Sequence, residues 1–138
     1  MAAKDFFHSH VKNALIKDGW TVTDDPLPIK WLGTTLQVDL GAEKILAAEK
    51  EDRQIAVEVK SFIGASKIDD LKDAIGQFIL YRSAMKKTFP KRELFLAIRD
   101  AAFANTFEQP EGEILRQEET IRIIVFNAEK EEIVRWIS

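Results

Sequence analysis

The sequence predicts one α/β (α+β) domain, a mixed β-sheet flanked by helices. Three observations predict it. Short runs alternate apolar and polar residues with period two, most clearly Leu36–Leu40 and Ile55–Lys60. A stretch beginning at Lys67 repeats its apolar residues with helical spacing. The two kinds of segment interleave in the order helix, three strands, helix, strand, helix, two strands, which requires a sheet covered by helices. A chain of 138 residues, 46 % of them hydrophobic and 31 % charged, has the length and composition for one such domain with its own core.

Residues 4–18 suit the first helix, with Phe7, Val11, Ala14 and Leu15 on one face. Asp18-Gly19 stops it, and Trp20 begins an extended stretch. Asp24–Pro28 reads as a loop, because its two prolines fit neither a helix interior nor a central strand. Gly33 marks a turn. The first strand is expected at 35–40, with Leu36, Val38 and Leu40 on one face and Gln37 and Asp39 on the other. The second and third are expected at 44–50 and 53–60, joined by a turn at Glu51-Asp52-Arg53. In the third, Ile55, Val57 and Val59 face one way and Ala56, Glu58 and Lys60 the other.

Ser66 is an expected N-cap, with Asp69 three residues on, for a helix over 67–87. Its core side is expected to carry Ile68, Leu71, Ile75, Phe78, Ile79 and Arg82. Asp70, Ala74, Gln77 and Tyr81 line an adjacent stripe. A strand at 93–98, one or two short helices within 100–118, and a closing pair of strands at 121–126 and 133–137 around Asn127–Lys130 complete the chain.

Composition excludes several function classes. With no cysteine there is no disulfide, no thiolate-bound zinc and no thiol nucleophile. There is no glycine-rich phosphate loop and no Gly-x-Ser-x-Gly. His8 and His10 are two apart and do not converge as helical metal ligands. No apolar run is long enough to span a bilayer and the N-terminus lacks a signal-peptide core, so a cytoplasmic protein without a membrane partner is expected. A net charge of −3 weighs against non-specific DNA binding unless a local basic patch or a basic partner supplies the attraction.

Asp39 and Glu58 each place a carboxylate on a run that otherwise wants burial, and a buried carboxylate is costly unless it meets a cation. Phosphodiester hydrolysis uses a metal to polarise the phosphate, an activated water, and a cation near the developing charge. Mg²⁺ keeps several waters, so one or two carboxylates suffice to hold it. Asp39 and Glu58 are the candidate ligands for Mg²⁺ or Mn²⁺, with the carbonyl of Val59 as a third, and Lys60 is the candidate catalytic cation. An acid two before a lysine occurs twice, here and at Asp70-Leu71-Lys72; the second lies mid-helix, where residues two apart diverge. The same three residues also suit a solvated strand face with Asp39 in a turn.

Gln77 and Tyr81 share a helix face and could touch a phosphate or position Lys60; a merely exposed glutamine and a packed tyrosine are the plainer reading of the sequence alone. His8 suits either an accessory role or the edge of the core. Glu43 is either an acid supporting the pair or a solvated glutamate. Lys86, Lys87, Lys91 and Arg92 around Pro90 form the best phosphate-contacting patch, or else a solvated basic loop. Trp20, Trp31 and Trp136 read as core or interface anchors. An unpaired sheet edge or Trp136 could support a homodimer.

At Asp39 and Glu58-Val59-Lys60 the chain resembles the PD-(D/E)XK nuclease superfamily, the restriction-endonuclease-like fold, and Gln77 through Tyr81 is similar to the Gln-x-x-x-Tyr helix motif of some branches. Val38 stands where the motif's name has proline. An acid found on the first helix of many members, eleven residues before a Gly-aromatic pair, corresponds here to His8. A closer resemblance covers nearly the whole chain. Lys4–His8, Asn13–Trp20, Asp39–Lys44, Glu58–Phe62 and Gly76–Arg82 look like the XisH family, cyanobacterial controlling factors for excision of the fdxN DNA element. That resemblance implies a role in programmed DNA rearrangement, with DNA, a site-specific recombinase and a partner protein called XisI. Two functions follow from these readings: a Mg²⁺-dependent endodeoxyribonuclease, or a non-cleaving accessory factor that binds DNA or the excision machinery.

Overall fold

The alternating runs pair into sheets, but the chain changes sheets in the middle of one of them. The structure is a computed structural model and describes residues 5–46 and 51–138. In chain order its elements are α1 (His8–Lys17), β1 (Thr21–Asp24), β2 (Leu27–Trp31), β3 (Thr34–Val38), β4 (Leu40–Leu46), β5 (Glu51–Val59), α2 (Lys67–Thr88), β6 (Glu93–Arg99), α3 (Asp100–Asn105), α4 (Pro110–Glu118), β7 (Ile123–Asn127) and β8 (Glu132–Ile137). Six strands form one sheet in the order β1-β4-β5-β6-β7-β8, while β2 and β3 form a separate hairpin. β5, β6 and β7 are parallel, and the outer pairs are antiparallel. Parallel neighbours need crossovers, which α2 supplies between β5 and β6, and α3 with α4 between β6 and β7.

Both faces of the sheet are covered, so the central strands read as nearly unbroken apolar runs. On one face Val11 and Leu15 of α1 pack on Leu40, Ile55, Val57, Val59, Phe95 and Phe126, with Trp20 and Trp136 at the rim. On the other, Phe78 and Met85 of α2, Leu27 and Val38 of the hairpin, and Phe103 after β6 pack on Ala56, Leu96, Ile98 and Val125. The expected split of β5, with Ile55, Val57 and Val59 on one face and Ala56 on the other, is what the two cores contain.

Several boundaries differ from the sequence reading. Residue 4 lies outside the described residues, and α1 begins at His8. Before it, the Asp5 carboxylate accepts the Phe7 N–H at 3.0 Å and holds the chain in a turn. The loop expected at Asp24–Pro28 ends sooner, because Leu27–Trp31 is a strand. Pro28 is tolerated there since β2 pairs on one side only, with β3. The hairpin turns at Leu32 and Gly33, both at positive φ (47° and 74°), which is the twist-compatible two-residue turn.

The single strand expected at 35–40 is two strands broken at Asp39. Val38 pairs with Leu27 in the hairpin and Leu40 pairs with Val57 in the large sheet. Leu36 and Val38 therefore enter one core and Leu40 the other, not one shared face. The expected turn at Glu51-Asp52-Arg53 is strand: these residues pair with Leu46, Ile45 and Lys44. Most of the second strand expected at 44–50 falls on 47–50, outside the described residues.

α2 starts where Ser66 predicts, its hydroxyl accepting the Asp69 N–H at 3.2 Å. Its buried stripe is rotated from the expected one. Ala74, Phe78 and Met85 are buried, whereas Ile68 and Ile79 remain 55 % and 38 % exposed. The cause is two-sided packing, on β6 and on β2 of the hairpin, which draws the Ala74–Phe78–Tyr81 line inward. The two short helices, the strands β7 and β8 and the turn between them lie close to their expected places.

Candidate functional site

The break at Asp39 brings its backbone and side chain beside the last turn of alternation in β5. The Asp39 N–H donates to Glu58 Oε1 at 3.2 Å, and the Val59 N–H donates to Asp39 Oδ2 at 2.8 Å. Two acids 19 residues apart are thus tied together where the chain passes between sheets, Glu58 through the backbone of Asp39 and Asp39 through the backbone of Val59, the residue after Glu58. Glu58 is 6 % exposed, which rules out a solvated strand face for it. Burial first, and then the negative charge of Asp39, push the Glu58 carboxyl up to about 9; Lys60 acts the other way and does not prevail. Asp39 is also raised, by burial, against the Val59 N–H and the charge of His8, which pull it down.

Lys60 follows β5 directly, partly buried, with its N–H donating to the Ala97 carbonyl at 3.1 Å. Tyr81 reaches the pair from α2. Its phenol is pushed up to about 12 by burial and then by the charges of Glu58 and Asp39. Gln77 lies one turn earlier on the same face, partly buried, and donates to neither carboxylate. His8 joins the site from the first turn of α1. It is 5 % exposed, its Nε2 is 2.7 Å from Asp25 Oδ1, and its Nδ1, without a hydrogen bond, stands 3.9 Å from Asp39 Oδ1.

The structure therefore brings Glu58, the Val59 N–H and His8 to Asp39, with Lys60 and Tyr81 near enough to the pair for charge to act between them. Glu43 does not join them: it pairs with Gln54 in β4–β5 register, four residues down the strand from Glu58, on the order of 13 Å away. Trp136 packs within the chain, its ring 5.5 Å from Trp20 and 5.1 Å from Phe95.

Three polar residues at the site carry no sequence signal of their role. Asp5 accepts the N–H and Oγ–H of Ser61, at 2.9 and 3.0 Å, and so ties the residue after Lys60 to the start of the chain. Ser61 is buried. Asp25 holds His8 and accepts Lys12 Nζ at 2.9 Å. Burial pushes the Asp25 carboxyl up, but Lys12 and His8 together hold it below the usual range. Only the position of Ser61, adjacent to Lys60, could have drawn notice. Asp5 and Asp25 meet their partners through tertiary contacts 56 and 17 residues away.

These features define a mixed α/β domain with a carboxylate pair, Glu58 buried and Asp39 half-buried, at the point where a strand leaves one sheet for another, and a lysine and a phenol beside it. The chain belongs to the XisH family, whose model, XisH protein, matches residues 1–134. It is similar to the crystal structure of an XisH family protein from Nostoc punctiforme PCC 73102, with a TM-score of 0.88 and 38 % identity over 97 % of this chain and 100 % of that one. It is equally similar to that of an fdxN element excision controlling factor protein from Anabaena variabilis, with a TM-score of 0.88 and 39 % identity over 98 % and 100 %. No curated protein matches it. No helix among the described residues is long and apolar enough to cross a membrane.

Proposed function

We propose that the chain serves excision of a DNA element as a divalent-metal-dependent phosphodiesterase of the PD-(D/E)XK type. The name of the Anabaena variabilis relative motivates the excision role. The observation that carries the chemistry is the Asp39–Glu58 pair: a buried and a half-buried carboxyl, both raised, that lack a nearby cation strong enough to let both ionise.

Mg²⁺ or Mn²⁺ fits that deficit. Among the described residues no three His, Asp or Glu side chains close around one ion position. A hard cation that retains waters needs fewer: Asp39, Glu58 and the Val59 carbonyl would hold it. An ion held there would supply a Lewis acid for a phosphodiester and a water of lowered pKa. Lys60 places a positive charge where the phosphorane charge develops. Tyr81 and Gln77 would offer a hydroxyl and an amide to phosphate oxygens, and His8, fixed by Asp25, limits the positions open to Asp39. An XisI-like protein and a recombinase would direct the chain to its DNA.

Purified protein on single-stranded, duplex and branched DNA, with Mg²⁺ or Mn²⁺, tests this. Cleavage by wild type, lost in Glu58→Ala and in Lys60→Ala, is expected. Equal cleavage by Glu58→Ala would assign the activity to a contaminant and remove the reading.

The net charge of −3 favours a second reading, a non-cleaving factor on the same fold. It expects metal-independent binding of DNA or a partner by Lys60→Ala; a chain that bound neither would exclude it.

A further inference from the structure

A polar cavity lies at the other end of the parallel strands from the carboxylate pair, where α2 ends and β6 and β7 begin. It measures about 480 Å³. Five cations line it: Arg82 and Lys86 from α2, Lys91 and Arg92 from the following turn, and Arg122 before β7. Its acid is Glu93, already engaged by Arg122 at 3.3 Å and by Arg53 at 3.7 Å. Arg82 is aimed by the carbonyls of Glu119 and Thr120, which its Nη1 meets at 2.7 and 3.1 Å. In register terms the cavity begins near Ile55–Glu93 and the carboxylate pair near Glu58–Leu96, about 10 Å apart along the strands.

Arg92 makes this more than a basic loop. Its side chain is 10 % exposed, held by Ile55 carbonyl at 2.9 Å and Asp24 Oδ2 at 3.3 Å. Its Nε–H is buried with no acceptor. A buried donor left unpaired is destabilising, and a charged one more so. Lys86 and Lys91 are exposed and form no ion pair among the described residues. A lysine in the last turn of a helix has a reason of its own, the negative end of the helix dipole. That accounts for Lys86, but not for Lys91, Arg92 and Arg122, which converge from other elements. Phe89 and Leu94 give the cavity an apolar floor.

We propose that this cavity binds a phosphate group, carried by a nucleic-acid strand or a nucleotide, with Arg82, Lys86, Lys91, Arg92 and Arg122 as its cationic wall and the apolar floor against a sugar or base. It rests on the reading of the chain as acting on DNA only for the choice of nucleic acid as carrier. It also supplies the local positive patch that an acidic chain needs in order to approach a polyanion.

The test is fluorescence anisotropy of a labelled single strand and of the same sequence as duplex, in EDTA. Inorganic phosphate and deoxyadenosine monophosphate serve as competitors. Wild type is compared with Lys86→Gln/Lys91→Gln and with Lys86→Glu/Lys91→Glu, each checked for fold by circular dichroism. Both pairs are surface positions and keep the buried Arg92 in place. The Gln pair is expected to weaken binding at least tenfold and the Glu pair further, and the duplex salt slope is expected to fall by about 2. Competition by phosphate or the mononucleotide alone identifies a free-phosphate or nucleotide site, and binding of strands without such competition identifies a backbone site; either supports the cavity. Failure of every phosphate probe to bind at 50 mM salt, or equal binding by both variants, overturns it. EDTA keeps metal-dependent cleavage out of the measurement. A chain that binds but never cleaves fails the catalytic reading alone, and one that cleaves while both variants bind as wild type fails this inference alone.

Discussion

Replacing Glu58 by Gln should stabilise the metal-free protein, and the gain should grow with pH. The folded protein holds a proton on Glu58 up to about 9, against an ordinary value of 4.5. Between those values the native state binds more protons than the unfolded chain, so stability falls as pH rises. The contribution is fully present below the unfolded value and is lost by the time pH passes the folded one. Each unit is about 1.4 kcal/mol. By pH 7 roughly 2.5 units have been traversed, which is about 3 kcal/mol of lost stability for one buried group. Asp39 is raised too and adds to the loss in the same direction.

Gln occupies nearly the same volume, keeps an oxygen to accept the Asp39 N–H, and has no charge to bury. Urea unfolding of wild type and Glu58→Gln in EDTA, at pH 5, 7 and 8.5, measures the effect. The two curves should nearly coincide at pH 5 and separate steadily above it. Millimolar Mn²⁺ should restore stability to wild type at pH 8.5 and leave the variant unchanged. A wild-type stability that is flat from pH 5 to 8.5 would mean that Glu58 ionises freely, and the electrostatic account of the site would be wrong.

Other positions give further tests. The chain has one tyrosine, so its ionisation is read directly by absorbance near 295 nm; little tyrosinate should appear at pH 10.5, where an unperturbed phenol is mostly ionised, and unfolding should release it. Asp39→Asn removes the charge that ranks second in raising Glu58, so the Glu58 carboxyl, followed by ¹³C NMR, should titrate at lower pH. Ser66→Ala loses the hydroxyl that accepts the Asp69 N–H and should lower stability by about 1 kcal/mol in denaturant melts. Phe78 is fully buried against both the sheet and the hairpin, so Phe78→Ala should cost about 3–5 kcal/mol. A Cβ on Gly112 would overlap the Thr106 carbonyl, and Gly112→Ala should cost about 1–3 kcal/mol by forcing backbone apart, seen as a lowered Tm.

The site was legible to different depths. Glu58 and Lys60 follow from period two on one short run, and the structure keeps that phase. Helical spacing puts Tyr81 beside the core stripe. Its inward turn depends on the hairpin β2–β3, which the sequence hid behind Pro26 and Pro28. His8 was visible only as a histidine at the start of a helix; its nearness to Asp39 depends on where α1 lands against the sheet.

The alternation of side chains along Leu36–Leu40 and Ile55–Lys60, the capped helix after Ser66 and the absence of cysteine are local facts, and local propensity was enough to give a mixed sheet flanked by helices and the elements from α2 onward, but not the five strands that precede α2. Where the chain crosses from the hairpin to the large sheet was decided by tertiary structure. There Val38 finds Leu27 and Leu40 finds Val57, and Asp39 between them is left to bond the backbone of a strand it does not belong to. Period and capping act over a few residues and are written in the neighbouring letters. The burial that raises Glu58 comes from surfaces that meet only after the chain has folded, and no window of sequence contains it.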